Sequence, residues 1–554
     1  MSTATPRSRE TQEAEESIRP ASRHPLQSWL LTILVFVAGA ATLGIELSAS
    51  RLLAPYFGTS LFVWANLIGL VLLYLTVGYY VGGRIADRYP SAKVLYSMTA
   101  IAALLVGLIP LVARPILQWS LQAFATYSVS VFYGSLVSVI LLFALPMILL
   151  GCVSPFAIRL RVEQIGKSGS TAGMLYAIST AGSIIGTFLP VLVLIPTIGT
   201  RLTFLVLALS LLLVSIVGLI STNASGNSKG TQPAGKRRNK GIISALLLIP
   251  LLLMVTGLQG PIKPASGTGN GGVLLAEHES VYNYMQVVQS DGETQLILNE
   301  GLGIHSIYNP NSVLTNGPWD YFMAAPYFNN PPFTPAQVQR VCIIGLGAGT
   351  IARQFTEVYG PIAIDGVEID GEIVNMGRQY FHMNEPNLQV IVQDGRYFLE
   401  TTPRTYDVIA LDAYQQPYIP FQLTTTEFFH EVRSHLTPTG VAVFNVGRTS
   451  SDFRLVEAMA QTMHTVFPNV YIIDSQRFLN SLIIATNAPT SQENFRSNLA
   501  NVTHPLLRSV AQTSLTTGHM RQEQRSAVYF TDDKAPIEQM IDLIIFSEVE
   551  RSRK

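Results

Sequence analysis

The sequence predicts two dissimilar halves: a polytopic α-helical membrane domain, and then an α/β domain built on a doubly wound parallel sheet with a small β-hairpin unit at its amino end. Three observations predict this. Only 13% of the 554 residues are charged, against roughly 25% in a typical soluble chain. Long apolar runs recur through the first half, each near the length that crosses a hydrocarbon core of about 30 Å. After Val338 the rhythm changes to short Val/Ile-rich runs alternating with helical segments, the pattern of a parallel sheet covered on both faces.

A polar leader, residues 1–28, precedes the first run. Candidate spans lie at 29–45, 61–83, 94–113, 131–151, 173–195 and 202–220, so residues 29–220 form a six-helix membrane region. "STNASGNSKGTQPAGKRRNKG", 221–241, is polar, Gly/Ser-rich and basic, as a flexible linker is. A seventh apolar run follows at 242–258, and a Gly-rich stretch, 260–272, leads into the second half.

Positive charge sets orientation, because Lys and Arg flanks resist translocation. The leader and the second, fourth and sixth loops hold fifteen basic residues, whereas the alternate loops hold three, Arg51, Arg114 and Arg201. This is the pattern of an integral protein of the cell membrane with a cytoplasmic amino terminus. The side on which the second half lies stays open. Seven crossings place it outside, whereas a seventh run that does not cross places it inside. The seventh run has 17 residues with Pro250 at its middle, so it reads either as a crossing or as a re-entrant segment.

Two stretches in the first half invite a functional reading. "GGRIADR", 82–88, resembles the loop between the second and third helices of major facilitator transporters; a charged turn anchoring two helices has the same composition. "GIELSASRLLAPYFG", 44–58, puts Glu46 and Arg51 at the end of the first span, where ionisable groups mark either a paired functional site or the water interface. A full facilitator has about twelve helices in two repeated halves, and no second copy is visible here.

In the second half, alternation from Glu279 to Ile307 around "SDGE" gives a β-hairpin unit, residues 273–310, and the strand–helix alternation fills 311–554. "IIGLGAGT" ends a strand with Gly345, Gly347 and Gly349, which lets the backbone turn sharply and approach a ligand at the next helix's amino end. Glu368, in "GVEID", ends the next strand about 20 residues on, where an acidic side chain accepts both hydroxyls of a ribose. Asp394 and Gly395, in "QDGRYFL", close the third strand, where a carboxylate meets an adenine amino group. Asp412, after "YDVIAL", ends the fourth, facing the reacting end of a bound nucleoside or capping its own loop. Balanced charge, 36 basic and 36 acidic residues, gives no support to nucleic-acid binding. The two cysteines, Cys152 and Cys342, sit in apolar runs and read as buried thiols.

These residues resemble the spermidine synthase (polyamine aminopropyltransferase) family, specifically its membrane-fused branch with a facilitator-like first half. The likeness covers roughly 275–490 and "FTDDKAPIE", 530–538. The resemblance implies a Rossmann-like fold of the class I methyltransferase type. It also implies decarboxylated S-adenosylmethionine, or S-adenosylmethionine, as a cosubstrate with no permanently bound cofactor, and an amine as acceptor. By position Glu368 holds the ribose, Asp394 the adenine, and Asp412 takes the proton of the attacking amine, with no metal called for. The sequence departs from the family at Ala348, where an Asp grips the donor's ammonium, and at Gln415, where a second Asp holds the polyamine. The family's Tyr-His-Glu segment corresponds to Trp319, Asp320 and Tyr321, so Asp320, Gln415 and Tyr414 become the acceptor-binding candidates, with Trp319, Tyr321 and Tyr418 as aromatic wall or cation–π faces. The expected protein is a membrane-bound aminopropyltransferase with a small-molecule amine and the lipid bilayer as partners, and a homo-oligomer is compatible with it. A methyltransferase using the same pocket, or a transporter or tethered binding module with a non-catalytic second half, are the alternatives.

Overall fold

The computed structural model describes residues 25–57, 61–124, 130–162, 168–225, 262–263, 272–299, 303–414, 418–516, 520–521 and 526–552. The seventh apolar run, most of the linker and Gln415 lie outside them. The described residues fall into two compact units, the first drawn from Met1–Leu52, Asn66–Ile116 and Ser138–Gly260, the second from Leu53–Ala65, Leu117–Val137 and Pro261–Lys554.

Among the described residues seven helices make up the amino-terminal region: α1 (Pro25–Phe57), α2 (Leu61–Arg88), α3 (Ala92–Phe124), α4 (Ser130–Gly151), α5 (Val153–Arg161), α6 (Ser168–Leu189) and α7 (Ile195–Ser225). Among the described residues five helical stretches are long and apolar enough to cross a bilayer. The expected fifth and sixth runs are joined in one stretch, Ser168–Thr222. At 1.5 Å per residue its 55 residues would reach about 80 Å, well over twice a hydrocarbon core. It is broken instead, by a π-helical turn at Pro190–Leu194 and by Gly199 at φ 78°, ψ 166°. Large apolar side chains such as Leu72, Leu141 and Leu192 point outward, as lipid-facing residues do. Small residues let helices touch backbone to backbone: a Cβ on Gly182 or Gly186 would lie 2.0 Å from the carbonyl oxygens of Phe36 and Ala40, and one on Gly78 2.4 Å from that of Ile148. In "GGRIADR", Asp87 pairs with Arg159 of α5 at 3.1 Å, a solvent-exposed pair.

The second unit contains a four-stranded antiparallel sheet rather than a lone hairpin: β1 (Val273–Glu279), β2 (Tyr284–Ser290), β3 (Glu293–Leu298) and β4 (Ile304–Tyr308), paired in chain order. Its turn residues Asp291 and Gly292 have positive φ, as the "DG" pair predicts.

A larger sheet follows. β5 (Arg340–Ile344), β6 (Ala363–Glu368), β7 (Leu388–Val392), β8 (Tyr406–Leu411) and β9 (Leu436–Gly447) are parallel, in spatial order 7-6-5-8-9. This is the doubly wound arrangement expected, but the sheet is mixed rather than wholly parallel. β10 (Asn469–Asp474), β11 (Asn480–Thr486) and β12 (Met520–Arg521) extend it beyond β9 through antiparallel pairings, because a five-residue hairpin connection joins β10 to β11 where a parallel crossover would need a helix. The helices are α8 (Thr350–Tyr359), α9 (Gly371–Tyr380), α10 (Gly395–Thr401), α11 (Thr426–Ser434), α12 (Arg454–His464), α13 (Gln492–Leu499), α14 (Pro505–Leu515) and α15 (Ile537–Ser552). Two apolar cores cover the sheet's faces. Val341 and Ile343 enter one, Cys342 and Ile344 the other, as the two-residue period of a strand requires. Cys152 and Cys342 are both buried free thiols.

Strand order reverses between β5 and β8, so their carboxyl ends open a crevice. Gly345 makes the crevice narrow: its φ is +84°, and a Cβ there would lie 2.6 Å from the backbone of Asp412 and Ala413. Gly345→Ala should therefore cost more than about 3 kcal/mol, while Gly292→Ala, also at positive φ but with open space around it, should cost about 1–2 kcal/mol. Thermal unfolding of the two variants checks this; equal shifts in Tm would show that the close approach carries no weight.

Candidate active site

The turn after β5 is tied down before any ligand arrives. The amides of Gly345 and Leu346 donate to the Val367 carbonyl at 2.9 and 3.0 Å, the Gly347 amide to Glu368 Oε2 at 2.9 Å, and the Ala348 amide to Ser306 Oγ of β4 at 2.9 Å. Gly349, at φ 91°, starts α8 against Met383 and does not line the cavity.

The cavity, about 440 Å³, lies over the carboxyl ends of β5, β6, β7 and β8. Gly345, Gly347, Glu368, Asp394, Gly395, Asp412 and Tyr414 all line it, so the structure brings together most of the residues that the sequence singled out. Its other walls come from Tyr282 and Asn283 of the small sheet, from Pro420–Leu423 and from Ala535–Gln539. Four acidic residues, Glu368, Asp394, Asp412 and Glu538, and no Lys or Arg stand among the described residues that line it. His305 lines it as well.

Each strand-end carboxylate is held by neutral donors. Glu368 also accepts from the Asp370 amide at 3.2 Å, and burial pushes its carboxyl up to about 7 against those hydrogen bonds. Asp394 caps α10, its Oδ1 accepting from the amides of Arg396 and Tyr397 at 3.0 Å each. Asp412 Oδ2 accepts from Trp319 Nε1 at 2.8 Å and Oδ1 from Asn445 Nδ2 at 2.7 Å. Burial pushes the Asp412 carboxyl up to about 7; the two hydrogen bonds oppose the rise and the charge of Glu368 adds to it. A buried carboxylate with that pKa, lining a cavity, suits proton transfer near neutrality.

The acceptor candidates fare differently. Tyr414 lines the cavity, but its hydroxyl donates to the Asn445 carbonyl at 2.9 Å and accepts from the Gly447 amide at 2.8 Å, which ties its loop to β9. Asp320 is a correction. It is buried outside the cavity, with Oδ1 accepting from the Thr315 amide, the Thr315 hydroxyl and Gln354 Nε2, and Oδ2 from the Asn316 amide. With three donors on Oδ1 and one on Oδ2, that carboxylate organises the turn before Trp319. Trp319 and Tyr321 do not line the cavity either, but the Trp319 indole N–H reaches Asp412.

Three features escaped the sequence reading. Asn445 carries no motif; only the β8–β9 register, with Leu411 opposite Phe444, sets it beside Asp412. Glu538 enters from α15, more than 100 residues away in sequence. Arg396 forms bidentate pairs with Asp532 at 2.8 and 2.9 Å and with Glu431, which clasps the "FTDDKAPIE" segment to the helix that Asp394 caps. That motif was the available signal for the last two.

Comparison with known proteins follows the same outline. Residues 327–495 match the family model described as "Spermine/spermidine synthase domain". A probable polyamine aminopropyl transferase of Bifidobacterium longum is 33% identical over 296 residues, 50% of this chain and 65% of that protein. A polyamine aminopropyltransferase of Vibrio vulnificus is 34% identical over 137 residues, 24% and 45% of the two chains. The carboxyl-terminal half is a spermine/spermidine synthase domain. The chain spans just under two thirds of the first relative's length and less than half of the second's. The crystal structure of a probable spermidine synthase from Corynebacterium glutamicum is similar over 48% of this chain and 98% of that one, with 22% identity and a TM-score of 0.36.

If Glu368 and Asp394 of the synthase domain hold a nucleoside, Glu368→Ala or Asp394→Ala should weaken methylthioadenosine binding by about 1.5–3 kcal/mol, the range for hydrogen bonds to charged groups. Titration calorimetry measures this, and parent-like affinity in both variants would remove the nucleoside from this cavity.

Proposed function

We propose that the synthase domain, held to a membrane by the apolar helices before it, transfers the aminopropyl group of decarboxylated S-adenosylmethionine to a small amine. The observation that carries the choice is the charge of the cavity: four carboxylates, and no Lys or Arg among its described lining residues. A sulfonium that also bears an ammonium is drawn into such a site. S-adenosylmethionine brings a carboxylate of its own and would bury it among like charges with no basic partner, which disfavours the methyltransferase reading.

Glu368 and Asp394 have the positions to take ribose and base. The acceptor's neutral nitrogen attacks the carbon beside the sulfonium in line. The N–C bond forms as the C–S bond breaks, the electron pair returns to sulfur, and methylthioadenosine leaves as a neutral thioether. The nitrogen's surplus proton goes to Asp412, whose ionised form must therefore be present beforehand.

Asp412→Asn should leave methylthioadenosine affinity within a few-fold and lower turnover by roughly 10²–10⁴, the usual contribution of a general base. In the parent, kcat/KM should fall as pH drops below about 7, because the raised carboxyl of Asp412 takes up a proton there. Product analysis by mass spectrometry, with decarboxylated and intact S-adenosylmethionine side by side, makes both measurements; unchanged turnover in the variant, or methyl transfer in the parent, would overturn the assignment.

The donor is a cytoplasmic metabolite, so this reading expects the synthase domain to face the cytoplasm. Both native cysteines are buried, which gives a quiet background for labelling Ser290→Cys, in the β2–β3 turn, with a membrane-impermeant maleimide. Protection until lysis is expected. Labelling of intact cells would place the site outside and defeat the choice of donor.

A further inference from the structure

β8 alone does not set the orientation of Asp412. The two donors to its carboxylate come from different elements, and both are backed by one short segment, residues 475–480, which is the turn after β10 together with the first residue of β11. On one side Phe478 packs edge-on against Trp319, with ring centroids 5.9 Å apart and planes at 72°. The chain leading into Trp319 runs flush against the same ring, since a Cβ on Gly317 would lie 2.9 Å from it. On the other side Asn480 Nδ2 donates to Asn445 Oδ1 at 3.0 Å. In the β9–β11 register Asn445 faces Leu482 and Asn480 faces Gly447, so the two amides are diagonal neighbours on one face of the sheet.

That second contact decides more than distance. A carboxamide presents an acceptor and a donor end of nearly the same shape. With Oδ1 of Asn445 engaged by Asn480, Nδ2 is the end left to face Asp412; reversed, two oxygens would confront each other. Between the two arms Arg477 moors the connection, its Nη1 and Nη2 donating to the two oxygens of Glu293 on β3 at 2.9 and 2.8 Å and Nη1 to the Thr315 carbonyl at 2.8 Å. Backbone bonds from the Ser475 amide to the Asn480 carbonyl and from the Arg448 amide to the Leu479 carbonyl, 2.9 and 2.8 Å, close it.

We propose that the 475–480 connection is a clamp that orients the Asp412 carboxylate, with Phe478 acting through Trp319, Asn480 acting through Asn445, and Arg477 as the mooring. This rests on the reading of Asp412 as proton acceptor. An indole N–H only donates and does not titrate, and a fixed carboxamide donates in the same way, so each oxygen of Asp412 is held by one neutral donor and the carboxylate plane is fixed. Releasing either arm frees that plane and removes a hydrogen bond from the ionised form, which shifts the group toward protonation. Phe478, Asn480 and Asn445 are positioning residues in this scheme.

The test uses the full chain in detergent, with decarboxylated S-adenosylmethionine and the amine that the parent turns over. Asn480→Ala, Asn480→Asp and Phe478→Ala should each lower kcat by roughly 10- to 100-fold, the cost of a small misplacement of a reacting group. The acidic limb of kcat/KM should move up by roughly one to two pH units, with methylthioadenosine affinity within about twofold of the parent, as a hydrogen bond remote from the nucleoside implies. In an Asp412→Asn background, Asn480→Ala should slow turnover no further. An unmoved acidic limb, loss of methylthioadenosine binding, or the same slowing in the Asp412→Asn background would each overturn the clamp. A parent without turnover would defeat the Asp412 reading and the clamp with it, whereas an active parent with an unmoved limb in the variants defeats the clamp alone.

Discussion

A carboxylate taken out of water must be repaid in hydrogen bonds, and in the synthase domain the group under that constraint is Asp412. Desolvation of an ion costs several kcal/mol even after relaxation. The protein answers with neutral donors, Trp319 and Asn445, and the choice has a chemical consequence. An arginine in either place would hold the carboxyl well below its ordinary range and leave a weak base. Two neutral donors fix the geometry while leaving the pKa near 7, where ionised base and proton affinity coexist.

The same separation runs through the rest of the domain. Strong ion pairs are present, but they serve as ties between elements outside the cavity lining. Arg396 binds Glu431 and Asp532, Arg477 binds Glu293, and Arg404 binds Asp365 near the amino end of the sheet. Their guanidinium groups stay out of the cavity lining, so the space over the strand ends keeps its negative character. Placement of Arg396 two residues after Asp394 couples the clasp to the helix cap: the residue that holds the "FTDDKAPIE" segment sits on the same first turn that orients Asp394.

The helical unit obeys a different physics. There the helices approach through glycines whose missing Cβ atoms let backbones touch, as at Gly182 and Gly186 beside Phe36 and Ala40, and apolar side chains remain on the outside. Thr99 and Ser215 share a hydrogen bond at 2.7 Å between α3 and α7, a polar contact that is satisfied within the bundle.

The sequence by itself determined the helical first half, the doubly wound sheet and the strand-end acids, because these follow from local rules. Apolar run length, the two-residue period of strands and the need for glycine at a sharp turn are each written within a few neighbouring residues. Glu368, Asp394 and Asp412 were legible for the same reason: each ends a strand, and strand ends of a parallel sheet converge. The break at Gly199 falls in the expected connection between the fifth and sixth spans, but that it is a kink rather than a loop was not legible from hydropathy. Nor was the antiparallel extension beyond β9, whose strands have the same composition as parallel ones. Only the tertiary structure decided which side chains meet across elements. It set Asn445 and Trp319 on the two oxygens of Asp412, closed Asp320 into a turn of its own, and carried Glu538 to a cavity whose other carboxylates lie more than 100 residues earlier. Those contacts depend on strand register and on long-range packing, which no local pattern of residues encodes.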